Sequence, residues 1–359
     1  MKIAVLGGGA GCHAAAADLS EQGHAVRLWR RDAAALRPVA EHGGITLKDG
    51  AGRREVPLAM ATADMREAVS GAELILIPLP AFAQSDIARE LCPHLEDGQV
   101  VFLPPGTFGS YLLADTTRRC GNAANVLYAE TGTLPYLTRK HGLREVAITV
   151  RARRLPTGVF PAARTEEAVE ILQAAYPSVE PVEDVLSGAL MNAGPIIHPP
   201  LILMNAAPLE HFPEWDIHDE GTQASVRRVT NALDEERIAI RESLGYSPYH
   251  FPLRDHYETD RWMYGDAHQA LVDSGDWREH IDLQEHRYMR EDVALGLAFM
   301  VSVADWAGVD APVARGLLAM GSAVCGHDFL AGPRTLKALG LNSLDAVSLK
   351  HLLDTGFAD

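Results

Sequence analysis

The segment IAVLGGGAGCHAAAADL combines three features that suit the holding of phosphates. A short β-branched run leads into Gly7-x-Gly9-x-x-Cys12, and an alanine-rich run follows. Gly7 permits a tight turn, Gly9 lets backbone approach a pyrophosphate, and the third position needs only a small residue for helix–strand packing. Cys12 there is a mild departure from Gly or Ala. Across Gly7, Gly8, Gly9, Ala10, Gly11 and Cys12, backbone N–H groups and the helix dipole can meet a dinucleotide's phosphates. The strand after the helix, AVRLWRRD, should end on an acid that reads the ribose 2′-OH of NAD. It ends on Arg30 and Arg31, whose guanidinium groups suit a 2′-phosphate, so NADP(H) is favoured. Asp32 keeps NAD(H) open, and two merely solvated arginines are the bland alternative.

In NAGPIIHPPLILMNA, His198 stands in an apolar setting before Pro199 and Pro200. Proline favours the first turn of a helix, which would put His198 at a helix N-terminus. Such a position disfavours the imidazolium and keeps the ring neutral, able to accept a proton. On the residues alone, a histidine satisfied within the core is the stronger reading.

The elements that must position these groups fall into two textures. Residues 1–185 alternate short apolar runs (KIAVLG, AVRLW, AELILIPL, VVFLPPG, NVLYAE, REVAITV) with helical patterns. This predicts a Rossmann-type, doubly wound, mostly parallel sheet. Residues 186–359 read as an all-α domain, with helical patterns over 225–244, 291–306, 311–324 and 343–353, the last capped by Asn342. The stretch 246–280, rich in aromatic, histidine and proline residues, reads as a loop-rich insertion over the site.

With 359 residues, 47% hydrophobic and 22% charged, the chain can bury two substantial cores. A net charge of −16 argues against nucleic acid and anionic membrane as partners, so an anionic ligand must be held locally. The four scattered cysteines predict no disulfide framework, and the histidines of 250–286 lack zinc spacing, so no metal is expected. MKIAVLGGGA leaves no room for a signal peptide, and a cytoplasmic protein is expected.

Both halves resemble the octopine/nopaline (opine) dehydrogenase family. The resemblance rests on the glycine loop, ILIPLPAFA, VVFLPPGTFGS and AETGTLPY in the first half. In the second it rests on NAGPIIHPPLILMNA, HDEGTQASVRRVTNALDEERIAI and HRYMREDVALGL. It implies an NAD(P)H-dependent reductive condensation, in which an amino acid's amino group attacks a 2-oxo acid and the resulting imine is reduced. It also implies a proton-transfer dyad of His198 with Asp292, and Arg287 as the holder of the 2-oxo acid carboxylate. A histidine titrating near neutrality, a carboxylate that fixes its tautomer, and a planar guanidinium suit those tasks. Residues 287 and 292 are five apart, about 140° around an α-helix, so Arg287 is expected just before the helix and Asp292 in its first turns.

Glu130 could contact the substrate amine, or be a structural carboxylate at a strand end. Trp262 and Tyr264 could line the amino-acid pocket, or be local core. The partners expected are small molecules, an amino acid and a 2-oxo acid, with a homodimer compatible. A carbonyl reductase of the ketopantoate or glycerol-3-phosphate type is the alternative, but those enzymes use a central lysine. The second half holds only Lys337 and Lys350. A non-enzymatic NADP-sensing protein is the third reading.

Overall fold

The computed structural model describes residues 1–265 and 278–357. The chain groups into two compact units. One comprises Met1–Leu79, Ala83–Ala189 and Leu353–Asp359, the other Pro80–Phe82 and Leu190–Leu352. The chain's last residues thus group with the first unit, although the helical texture that precedes them belongs to the second. Part of the aromatic-rich stretch, residues 266–277, lies outside the described residues.

The first unit is built on strands β1 (Lys2–Leu6), β2 (Ala25–Trp29), β3 (Gly44–Asp49), β4 (Gly52–Pro57), β5 (Met60–Thr62), β6 (Leu74–Leu76), β7 (Val100–Leu103), β8 (Leu127–Thr131), β9 (Tyr136–His141), β10 (Glu145–Arg151), β11 (Leu155–Phe160) and β12 (Val179–Pro181). Eight form one sheet, in the order β12-β11-β8-β7-β6-β1-β2-β5. Every pairing in it is parallel except β11 with β8. The apolar runs of residues 3–6 in β1 and of all of β6 and β7 follow from this, because a parallel sheet covered on both faces buries side chains on both sides.

Helices α1 (Ala10–Glu21), α2 (Ala33–His42), α3 (Met65–Val69), α4 (Gln84–Leu91), α5 (Gly109–Arg119), α6 (Thr165–Ala175) and α7 (Val185–Ala189) complete the unit. The alanine run of α1 buries Ala14, Ala15, Ala16 and Ala17. Small side chains let this helix pack tightly beside β1.

Strands β4-β3-β10-β9 form a second, four-stranded sheet, which the sequence reading did not anticipate as a separate layer. Its β9, YLTRKH, buries Tyr136 and Thr138 while Leu137, Arg139 and Lys140 stay half-exposed. That half-buried alternation is easily read as loop.

The second unit carries α8 (Gly194–Met204), α9 (Ala206–His211), α10 (Ala224–Ser243), α11 (Asp255–Glu258), α12 (Tyr288–Leu297), α13 (Ala298–Ala307), α14 (Pro312–Cys325) and α15 (Ala346–Thr355), the last continuing into the first unit. A two-residue pair, β13 (Trp215–Asp216) with β14 (Arg278–Glu279), is its small antiparallel addition. The last helix begins later than the sequence reading placed it. Asp345, not Asn342, caps it by accepting from the Ser348 N–H at 2.8 Å.

Two glycines let α8 and α12 approach closely. A Cβ on Gly296 would lie 2.3 Å from Pro195 Cγ, and one on Gly194 would lie 2.3 Å from Asp292 Oδ1. Any larger residue at either position would push the helices apart. Among the described residues, no helix is long and apolar enough to cross a membrane.

Candidate active site

In the first unit, the β1–α1 turn fits a dinucleotide's phosphates. Gly7 has φ +128°, and a Cβ there would meet Leu79 Cδ2 at 2.5 Å and Cys12 Sγ at 2.7 Å. Gly9 is the N-cap of α1, no side chain caps the helix, and its first turn carries no acid. The space where a Gly9 Cβ would stand is open. The helix start is therefore a positive end with free N–H donors and backbone bare enough for phosphate oxygens to reach it. Ala10 and Gly11 are half-buried in this turn, and Cys12 is fully buried. Burial pushes the Cys12 thiol up to about 11, so it acts here as a small packing residue.

The two arginines after β2 part company. Arg30 lies along the loop, its Cδ 2.6 Å from where a Gly8 Cβ would be. Arg31 instead pairs with Glu90 at 2.7 Å. Asp32 caps α2, accepting from the Ala35 N–H at 3.0 Å. A carboxylate engaged as a helix cap is a poor reader of a ribose hydroxyl.

In the second unit, α8 and α12 bring His198 and Asp292 together. His198 Nδ1 and Asp292 Oδ2 are 2.6 Å apart, with the ring side chain 14% exposed and the carboxylate 5%. The ring therefore reaches the surface of the site and the carboxylate sits behind it. Among the described residues nothing hydrogen-bonds to Nε2, which leaves that nitrogen for proton transfer. Burial, then the nearby Arg287 charge, holds the His198 ring below its ordinary range. Burial pushes the Asp292 carboxyl up to about 7, with Arg287 opposing.

His198 does not stand at a helix N-terminus as the sequence suggested. The helix starts four residues earlier, with Pro195 in the first turn, and His198 lies inside it. Pro199 and Pro200 continue the helix without donating to the carbonyls four residues back. The neutral ring is thus a matter of burial and of Arg287 rather than of the helix dipole.

Arg287 is the N-cap of α12, as expected, but that helix is wound as a π-helix over Tyr288–Leu297. A π-helix holds more residues per turn than an α-helix, so the angular offset between 287 and 292 is narrower than α-helical geometry gives. Arg287 presents surface to solvent, although its charged end is desolvated, and among the described residues it makes no hydrogen bond or ion pair. Burial of its surroundings opposes its charge, but Glu291, Tyr288, Asp292 and Tyr264 together raise its pKa.

Three neighbours went unremarked in the sequence. Tyr288 stacks on His198, with ring centroids 3.7 Å apart and planes 11° apart. Its hydroxyl is 2.8 Å from His218 Nε2. Glu291, buried beside Asp292, accepts from the Ala81 N–H at 3.0 Å. Burial, then the Asp292 charge, pushes Glu291 up to about 7. Tyr288 and Glu291 stand next to Arg287 and Asp292 in the HRYMREDV block, so adjacency was the available signal for those two; His218 opens the HDEGTQ block and has no such neighbour.

Glu130 and Trp262 are placed differently. Glu130 is fully buried, accepting from the Phe108 N–H at 2.7 Å and the Ser110 N–H at 2.9 Å at the start of α5. These are the bonds of a helix cap. Trp262 is 2% exposed, packs on His256 and Tyr264, and its indole N–H points to the Phe251 carbonyl at 3.3 Å. These are the contacts of local core. Among the described residues, no group of histidine, cysteine or carboxylate side chains is arranged to hold a metal.

Residues 181–325 match the family model of the NAD/NADP octopine/nopaline dehydrogenase α-helical domain. Residues 2–104 match that of the NAD-dependent glycerol-3-phosphate dehydrogenase N-terminus. The chain is 28% identical over 358 residues to an opine dehydrogenase from Arthrobacter sp. (strain 1C), covering 98% of both. It shares the fold of an octopine dehydrogenase solved with NADH and L-arginine, at TM-score 0.73 and 20% identity over 100% of this chain and 99% of that one. A yersinopine dehydrogenase solved with NADP+ matches at TM-score 0.68 and 14% identity, over 98% and 97%. The glycine loop on one unit, the helical-domain match on the other and full-length likeness to a curated relative converge: along its whole length the chain is similar to the octopine/nopaline (opine) dehydrogenases.

Proposed function

We propose that the protein is a cytoplasmic opine dehydrogenase that joins the amino group of an amino acid to the carbonyl carbon of a 2-oxo acid and reduces the imine, with NADPH preferred to NADH. It is an NAD(P)-dependent oxidoreductase acting on CH–NH bonds. The observation that carries the reading is the 2.6 Å contact of His198 with Asp292, on the same helix as the unengaged Arg287 guanidinium.

Arg287 pairs with the 2-oxo acid carboxylate, a fork-to-fork match that fixes the plane of the carbonyl. His198 Nε2 takes a proton as the amine attacks and returns it to the hydroxyl that leaves as water. Asp292 holds the ring by Nδ1 and offsets the positive charge it acquires. The nicotinamide, when bound, supplies the hydride to the imine carbon. The sum is amino acid, 2-oxo acid, NADPH and a proton giving a secondary amine dicarboxylate, NADP+ and water.

The NADPH preference is supported by Arg30 beside Gly8, and by Asp32 being spent as a helix cap. A lysine-centred carbonyl reductase gains no support, because Lys337 and Lys350 are both exposed. The octopine dehydrogenase relatives solved with pyruvate and with L-arginine suggest where to begin a substrate search. NADPH oxidation should be screened with amino acids crossed against pyruvate, 2-oxoglutarate and glyoxylate. Oxidation that needs both partners is expected; oxidation with a 2-oxo acid alone would overturn the condensation.

A further inference from the structure

The hairpin between β9 and β10 delivers a cation to the glycine loop. Lys140, near the end of β9, places its Nζ 3.1 Å from the Gly8 carbonyl oxygen. Arg30 lies against the same Gly8 from the β2 side. His13, on the first turn of α1, fastens the arrangement: its Nδ1 is 3.0 Å from the Gly9 carbonyl and its Nε2 3.2 Å from that of Leu143, at the hairpin tip. The ring is 1% exposed, and burial followed by the Lys140 charge pushes it down to about 4.

Two cations therefore share one edge of a phosphate-binding turn, above a histidine kept neutral. Among the described residues neither Arg30 nor Lys140 has a carboxylate partner. Nearby acids are otherwise engaged, Glu90 with Arg31 and Asp32 at the start of α2. Burial, then the Arg30 charge, holds the Lys140 ammonium below its ordinary range, a mark of two like charges unrelieved by an anion. In a chain of net charge −16, such a pair is a local exception. A dianion of phosphate size would relieve it, and the pyrophosphate already has its own donors at the start of α1.

We propose that Lys140, carried by the second sheet, joins Arg30 in binding the 2′-phosphate of NADP(H), so that coenzyme choice depends on two elements far apart in sequence. This rests on the nicotinamide dinucleotide reading above and adds a residue to it. Lys140 binds as a point charge, Arg30 as a planar fork.

The test is a set of binding titrations, by quenching of protein fluorescence, of NADPH and NADH to the parent, Lys140→Gln and Arg30→Gln. Calorimetry with 2′,5′-ADP and 5′-ADP, which carry no nicotinamide, accompanies them, and thermal melts check that each variant is folded. A charge-assisted contact of this kind is lost at a cost of about ten- to a hundredfold in Kd. Each variant should weaken NADPH and 2′,5′-ADP by that factor and leave NADH and 5′-ADP within about twofold. If the parent prefers NADPH, Arg30→Gln abolishes the preference and Lys140→Gln keeps it, the role of Lys140 alone is overturned. Equal losses of NADPH and NADH in Lys140→Gln would mean that it only braces the Gly8 turn, which also overturns the proposal. A parent that binds NADPH no better than NADH would remove the coenzyme preference itself, and Lys140's role with it.

Discussion

Tyr288 lies flat on His198, with ring centroids 3.7 Å apart, and is held there by the 2.8 Å contact of its hydroxyl with His218 Nε2. An imidazole fixed at Nδ1 by Asp292 and across its face by an aromatic ring has little freedom to swing Nε2 out of line. A stacked aromatic pair contributes about 0.5–1.5 kcal/mol. Tyr288→Ala should then lower kcat by about tenfold, and Tyr288→Phe, which keeps the face, by much less. Steady-state kinetics on the two variants decide; equal losses would put the effect in the hydroxyl rather than in the stack.

His198 and Asp292 should behave as one device. His198→Asn or Asp292→Asn is expected to lower kcat by about 10²–10⁴, and the double variant to be little worse than the worse single one. Gly194→Ala offers an indirect route, since its Cβ would stand 2.3 Å from Asp292 Oδ1 and displace the carboxylate. It should lower kcat while NADPH binding is kept. Additive losses in the double variant would show the two residues acting separately.

Much of this was legible in the sequence. The β1 run, the glycine turn and the alanine helix read directly, because a phosphate-binding turn is a local feature with fixed spacing. Arg287 and Asp292 came from resemblance, and the π-helical winding of their segment did not, since no propensity distinguishes it from an α-helix. Pro199 and Pro200 misled about where α8 begins, because packing against α12 carries the helix through them. Lys140 was invisible for a different reason: its neighbour Gly8 is 132 residues away along the chain, and no local pattern links the two.

Arg287 has a distinct role, so its loss should look different. Arg287→Met removes the carboxylate partner while leaving the dyad contact in place. The KM for the 2-oxo acid should rise by about ten- to a hundredfold, the cost of a charge-assisted pair, with NADPH affinity unchanged. Initial rates at varied 2-oxo acid and fixed amine give the answer. An unchanged KM with a fallen kcat would move Arg287 into the proton chemistry.

Glu291 and Asp292 make a prediction about stability. Both carboxyls are pushed up to about 7, mainly by burial, from ordinary values near 4.5 and 3.8. The folded chain therefore holds protons that the unfolded chain has released. Their contribution is fully present below the unfolded values and is lost as pH rises through about 7. Glu291→Gln, uncharged throughout and still able to accept from Ala81, lacks this loss, so the melting temperature of the parent relative to that of the variant should fall between pH 5 and pH 8. Identical pH profiles for the parent and Glu291→Gln would contradict the shift at that residue.

The central claim is that a C–N bond forms before hydride is delivered, and the product records it. The enzyme should be given nitrogen-15 amino acid, an unlabelled 2-oxo acid and NADPH deuterated at the transferred position, and the products read by mass spectrometry. The account predicts a secondary amine dicarboxylate that keeps the labelled nitrogen and carries one deuterium on the carbon that was the carbonyl. A deuterated 2-hydroxy acid, with the amino acid returned unchanged, would contradict it.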